Sequence, residues 1–241
     1  MARPIVLGHR GWRAAYPENT LAGIAAAVEL GCEAVEFDLH LTADGRIVVI
    51  HDEDVDRTTD GAGSVQKMTL AEVRRLDAGS WFGERFAGER VPTLEELLAI
   101  VPRGVELYAE VKDGRPAMVE ALLPMVAPRG EAAVVHSFDR GFLETFRAAA
   151  PAMRMGLLGN VTKLDMLAEA RRLGCQGIHP CVEGLSREMV AAWQAEGFTV
   201  MVWTARDEAE CREALALGPD AIGTDCPDIL LRLRGEGAPV G

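Results

Sequence analysis

Glu36 and Asp38 stand two residues apart inside the apolar run Ala34-Val35-Glu36-Phe37-Asp38-Leu39. In an extended chain, residues at that spacing point to the same face. Two carboxylates on one buried face repel each other and lose their hydration, so the fold must bring them compensating charge. A divalent cation supplies it most directly, because hard cations take oxygen ligands; pairing with arginines is the alternative. Asp44-Gly45 then reads as a two-residue hairpin loop between Leu41-Thr42 and Arg46 to Ile50. In that register Ala43 faces Arg46 and Asp38 falls opposite His51, which brings an imidazole to the acidic pair.

Other polar residues end apolar runs in the same way. Gly8-His9-Arg10-Gly11 closes the first, Glu110-Val111-Lys112 the third, and Trp203-Thr204 the seventh. Lys112 is one of only three lysines (67, 112 and 163) among 25 basic residues, and a compact ammonium has different uses from a guanidinium. Each residue also has a plain structural reading. His9 can be a satisfied strand-end histidine, Arg10 a surface ion-pair partner, and Trp203 a packing residue. His136 and His179 read as core or rim histidines, and His40 as a hairpin residue. Taken together, two imidazoles, a carboxylate cluster and two cations make a kit for phosphate-ester cleavage. One imidazole deprotonates the attacking hydroxyl and the other protonates the leaving oxygen. A metal with Arg or Lys neutralises the non-bridging oxygens.

The elements that would hold this kit are short β-branched runs alternating with Ala/Leu/Glu-rich stretches. Strands are predicted near 4–8, 33–41, 104–111, 131–137, 153–158, 176–179, 198–203 and 220–223. Helices are predicted near 18–30, 93–101, 116–127, 139–150, 162–173, 186–197, 206–217 and 226–234, with Asn19, Thr93, Thr162 and Ser186 as N-caps. Eight strand-then-helix units predict an α/β fold of the (β/α)8 barrel type; an open doubly wound sheet would show the same alternation. In a barrel the C-terminal strand ends converge on one mouth. Residues 53–91 far exceed a strand-to-helix loop of roughly 2–6 residues, and read as an inserted cap within a single domain spanning 1–241. Trp81 or Phe82 should face the site or brace that cap; a decorative loop is the other reading.

Composition narrows the function classes. The 241 residues hold 37 acidic and 25 basic side chains, a formal net charge of −12, which argues against nucleic acid or an anionic membrane as partner. No signal-peptide-like or membrane-spanning run is present, so no stable membrane association is expected. The five scattered cysteines lack metal-site spacing and read as core residues of a reducing compartment. The expectation is a soluble cytoplasmic protein acting on a small molecule; oligomeric state is not legible.

The ordered series His9-Arg10-Gly11, Pro17-Glu18-Asn19-Thr20, Glu36-Phe37-Asp38, Thr42-Ala43-Asp44-Gly45, His51-Asp52, Asp56-Arg57-Thr58-Thr59, Gly79-Ser80-Trp81-Phe82, Val91-Pro92-Thr93-Leu94, Glu110-Val111-Lys112, Ser137-Phe138, Trp203-Thr204 and Thr224-Asp225 resembles the glycerophosphodiester phosphodiesterase family of the bacterial cytoplasmic type. The resemblance implies a (β/α)8 barrel with a small insertion after strand two. It implies metal-dependent hydrolysis of glycerophosphodiesters to sn-glycerol 3-phosphate and an alcohol. By position, His9 and His51 match the acid/base pair, with their order open. Glu36, Asp38 and Glu110 match the ligands of one divalent ion, Mg²⁺ or Ca²⁺, while Arg10 and Lys112 match substrate contacts. Trp203 is added as an apolar pocket wall. Arg206, where Asn is frequent, and His136, where smaller polar residues are, depart from the pattern and touch substrate preference. A barrel isomerase or lyase, and a non-catalytic binding module, are the rival readings.

Overall fold

The computed structural model describes residues 3–235. Its strands are β1 (Ile5–His9), β2 (Ala34–Leu41), β3 (Ile47–Val49), β4 (Glu106–Val111), β5 (Ala133–Ser137), β6 (Arg154–Gly159), β7 (Gly177–Pro180), β8 (Thr199–Ala205) and β9 (Ala221–Thr224). All but β3 run parallel, and β1 pairs with both β2 and β9, which closes an eight-stranded barrel. Its helices are α1 (Leu21–Leu30), α2 (Leu70–Val73), α3 (Leu94–Ile100), α4 (Pro116–Val126), α5 (Arg140–Ala149), α6 (Met166–Leu173), α7 (Arg187–Ala195), α8 (Glu208–Leu217) and α9 (Pro227–Leu233).

Period-2 alternation divides each strand between two cores. Val6, Val35, Phe37, Leu39, Leu107 and Val135 turn outward and are buried with the helices. Leu7, Ala34, Tyr108, Val134, Met201 and Ala221 turn inward and plug the barrel floor. The inward positions above that floor are the ones free to carry chemistry.

The hairpin after β2 differs from expectation by one residue. Leu39 pairs with Val49 and Leu41 with Ile47, and the Ile50 N–H donates to the Asp38 carbonyl. Asp38 therefore faces Ile50, not His51. The loop has three residues, Ala43-Asp44-Gly45, because the Thr42 hydroxyl bonds Asp44 and the Arg46 backbone while Gly45 takes φ +73°. A hydroxyl that competes for the turn's backbone groups lengthens the loop.

Two predicted caps also shift. Thr20, not Asn19, accepts from the Gly23 N–H at the start of α1, and Asp165, not Thr162, caps α6. Thr93 and Ser186 cap as expected. The 53–91 segment carries α2 and a small core of its own, Val55, Val65, Val73, Ala78 and Val91, packed with Val48 and Ile50.

Candidate active site

β1 ends at His9, and the chain then turns sharply because Arg10 and Gly11 both take positive φ, +55° and +87°. A side chain at Gly11 would collide with the α1 backbone, 2.5 Å from the Gly23 carbonyl carbon. The left-handed Arg10 costs on the order of 1–3 kcal/mol, and its surroundings offset this. Its N–H donates to Glu36 Oε2 at 3.0 Å, Nη1 donates to Glu18 Oε1 at 2.9 Å, and Nε lies 3.1 Å from Asp38 Oδ2.

Glu36 and Asp38 point inward from β2, and Glu110, opposite Asp38 in the register, points inward from β4. One carboxylate oxygen from each lies within 4.8 Å of the others, and all three residues are buried. Burial, then repulsion from Asp38 and Glu110, raises Glu36 well above the carboxylate range. Burial and Asp38 push Glu110 up to about 7 against the pull of Lys112. Asp38 is also pushed up by burial, but Lys112 and Arg10 outweigh that and hold it low. Lys112 Nζ sits 3.2 Å from Asp38 Oδ1 and also donates to Glu110.

Glu36 Oε1 stays buried with no hydrogen-bond partner among the described residues. Two carboxyls forced toward protonation and an orphaned buried oxygen mark a cluster short of positive charge. Three hard oxygen donors in that state fit a divalent cation.

The two histidines line the same cavity as this cluster and have matching supports. His9 Nδ1 lies 2.6 Å from Asp225 Oδ1, and Arg13 Nη1 donates to Asp225 Oδ2 at 2.7 Å. His51 Nδ1 lies 2.5 Å from Asp52 Oδ1, and Arg57 Nε donates to Asp52 Oδ2 at 2.6 Å. A carboxylate on Nδ1 fixes the tautomer and leaves Nε2 to face the site. Burial lowers both imidazoles below their usual value; the aspartates and Asp38 oppose it.

These groups share a cavity of about 390 Å³ lined by His9, Arg10, Glu36, His51, Glu110, Lys112 and Trp203. Asp38 lies beneath it, fully buried. His51 reaches this mouth although it lies beyond the last paired residue of β3. His40 stays on the regular strand and sends Nε2 to the His51 carbonyl at 3.0 Å, so it supports that bend. Trp203 is half-buried, donates Nε1 to the His179 carbonyl and meets Phe138 edge-on at 5.6 Å between ring centres. Arg206 lines the mouth and reaches back toward Glu210. His136 and His179 are buried inside the barrel with Nδ1 atoms 3.0 Å apart, and His136 forms part of the cavity wall. Trp81 and Phe82 do not line this cavity; Phe82 packs on Phe86, which meets Tyr16 of the β1–α1 loop.

Residue types and spacing assign no part in the site to Glu18, Asp52, Arg13, Arg57 or Asp225, and make Asn19 a helix cap. Asn19, at φ +57°, clamps Asp38 by donating Nδ2 to Oδ2 at 2.8 Å and accepting the Asp38 N–H. The signal that could have found most of them is the motif series itself, which contains all but Arg13.

A closed parallel barrel with acids, bases and cations gathered at the C-terminal ends of its strands is a barrel enzyme. The sequence model of the Glycerophosphoryl diester phosphodiesterase family matches residues 9–229. A glycerophosphodiester phosphodiesterase of Caldanaerobacter subterraneus subsp. tengcongensis is 35% identical over 241 residues, covering 98% of this chain and 99% of the relative. A phosphodiesterase of Oleispira antarctica, solved with the product sn-glycerol-3-phosphate, superposes with TM-score 0.89 at 30% identity, over 95% of this chain and 96% of that one. The glycerophosphodiester phosphodiesterase of Agrobacterium tumefaciens gives 0.84 at 30% identity, over 95% and 99%. The chain belongs to the glycerophosphoryl diester phosphodiesterase family.

Proposed function

We propose that this enzyme hydrolyses glycerophosphodiesters to sn-glycerol 3-phosphate and an alcohol by acid/base catalysis between His9 and His51. The observation that carries the reading is the pair of imidazoles, each with Nδ1 held by a carboxylate, in one cavity with the three-carboxylate cluster. Glu36, Asp38 and Glu110 would hold one divalent ion, Mg²⁺ or Ca²⁺, which when bound neutralises charge on the phosphate. Arg10 and Lys112 balance the remaining oxygens, and Trp203 walls the apolar side.

His9, the more enclosed of the two, accepts the proton of the attacking hydroxyl: that of water directly, or that of the neighbouring glycerol carbon, in which case a transient cyclic phosphate forms and water then opens it to sn-glycerol 3-phosphate. His51 opens to the mouth, where a head group of any size can leave, and donates the proton to the departing alkoxide. Residues 53–91 act as a cap beside that exit. Among the described residues no helix is long and apolar enough to cross a membrane. The cysteines are free, even Cys211 and Cys226 with sulfurs 3.8 Å apart, which supports a reducing, cytoplasmic setting.

The test is a panel of glycerophosphodiesters assayed for glycerol 3-phosphate, with chelator and with each metal restored. Release that stops in chelator and returns with Mg²⁺ or Ca²⁺ is expected. Full activity in excess chelator removes the metal, and no release from any diester removes the reading.

A further inference from the structure

The supports of the two histidines do not end at their aspartates. Arg13, which holds Asp225, also donates Nε to Glu18 Oε2 at 2.9 Å. Arg57, which holds Asp52, donates Nη1 to Glu18 Oε2 at 3.0 Å and Nη2 to Glu18 Oε1 at 2.7 Å. The connected series therefore runs His9, Asp225, Arg13, Glu18, Arg57, Asp52, His51, with charge alternating along its interior. It spans the end of β1, the β1–α1 loop, the chain after β9, and the segment after β3.

Glu18 is 5% exposed and is absent from the lining of the main cavity. Its two oxygens accept four hydrogen bonds, counting the one from Arg10. A carboxylate saturated in this way fixes the directions of the guanidiniums around it. Those guanidiniums fix the outer oxygens of Asp225 and Asp52, and the inner oxygens fix the two Nδ1 atoms. Burial pushes Glu18 up, yet Arg57, Arg10 and Arg13 outweigh it and bring it down to about 2, so this junction stays anionic at neutral pH.

We propose that Glu18 is a positioning residue that sets the orientation and tautomer of both His9 and His51 at once, through one arginine arm to each. It contacts no substrate. The inference rests on the acid/base reading of those histidines. Loss of the carboxylate that orients a metal-ligating histidine costs about 10–100-fold in metal affinity or activity, and the same order is expected for a carboxylate that orients an acid/base pair.

The experiment is steady-state kinetics of Glu18→Gln, Arg13→Lys and Arg57→Lys on glycerophosphocholine. Each arm is tested again in a chain already lacking its histidine, Arg57→Lys in His51→Ala and Arg13→Lys in His9→Ala. The expected result is a kcat about 10–100-fold lower for Glu18→Gln with KM within about threefold. Each arm variant alone should lower kcat, and each should cost nothing further once its own histidine is gone. A plain structural brace would still subtract in those backgrounds, so full additivity overturns the proposal. A kcat for Glu18→Gln within twofold of wild type overturns it too. If Glu18→Gln does not fold, the arm variants decide by themselves. Should His9→Ala and His51→Ala each keep the wild-type rate, the acid/base reading fails; should they lose it while the arms stay additive, only the role of Glu18 fails.

Discussion

Two walls of one cavity are built from different materials. The wall from β1, β2 and β4 carries His9, Arg10, Glu36, Glu110 and Lys112, with His51 joining from the hairpin. The wall from β5, β6 and β8 carries Phe138, Leu158, Met201 and Trp203. Below the second wall, the floor is completed by the His136–His179 pair. Glycines at 156 and 177 leave the hole that the His179 ring fills: a Cβ at Gly156 would lie 2.1 Å from His179 Cε1. Burial of a charge is tolerated only beside compensating charge, so ionised groups collect on neighbouring strands. The first wall is suited to transferring protons and balancing charge. The second offers shape and apolar surface.

The largest expected effect tests the division of labour on the charged wall. Replacing either histidine by Ala should lower kcat on glycerophosphocholine by about 10²–10⁴-fold. On the nitrophenyl ester of glycerol 3-phosphate, whose leaving group needs no proton, His51→Ala should regain much of that loss and His9→Ala should not. Identical responses would dissolve the distinction between acid and base.

Acid should next separate the support behind the charged wall from the apolar wall. Glu18 sits at about 2 in the fold against 4.5 in its unperturbed state, so its contribution to stability is full above pH 4.5 and fades as pH falls toward 2. A shift of this size corresponds to about 3 kcal/mol. The melting-temperature advantage of wild type over Glu18→Gln should therefore shrink between pH 6 and pH 3. The advantage over Phe138→Ala, on the apolar wall, should not. A constant gap for Glu18→Gln would show that its ion pairs add nothing.

The smallest effect belongs to the apolar wall. Phe138 is 49% exposed and Trp203 half-buried, so each gives a bound diester limited apolar contact. Phe138→Ala or Trp203→Ala should raise KM by about 3–10-fold, in line with about 1 kcal/mol of lost contact, and change kcat little. A collapse of kcat would mean that this wall also positions the reacting phosphate.

Much of this arrangement was legible one strand at a time. Period-2 spacing puts Glu36 with Asp38, and Glu110 with Lys112, on single faces, and apolar runs ending in polar pairs mark the strand ends. The hairpin register was less legible. Asp44-Gly45 signals a turn, but the Thr42 hydroxyl decides its length, and the inferred pairing of Asp38 with His51 was one residue out. Asn19 looked like a helix cap because Asn caps helices well; the structure gives that task to Thr20 and turns Asn19 onto Asp38.

What the sequence by itself determined is therefore local: which segments are strands, which faces carry carboxylates, and which residues can trade protons. The tertiary structure alone decided who supports them. Asp225 is 216 residues from His9, and Arg57 is 39 from Glu18. Such pairs come together only when β9 closes on β1 and the segment after β3 brings Arg57 back to the β1–α1 loop. No period or spacing encodes that approach, because it depends on barrel closure and not on the conformation of either segment.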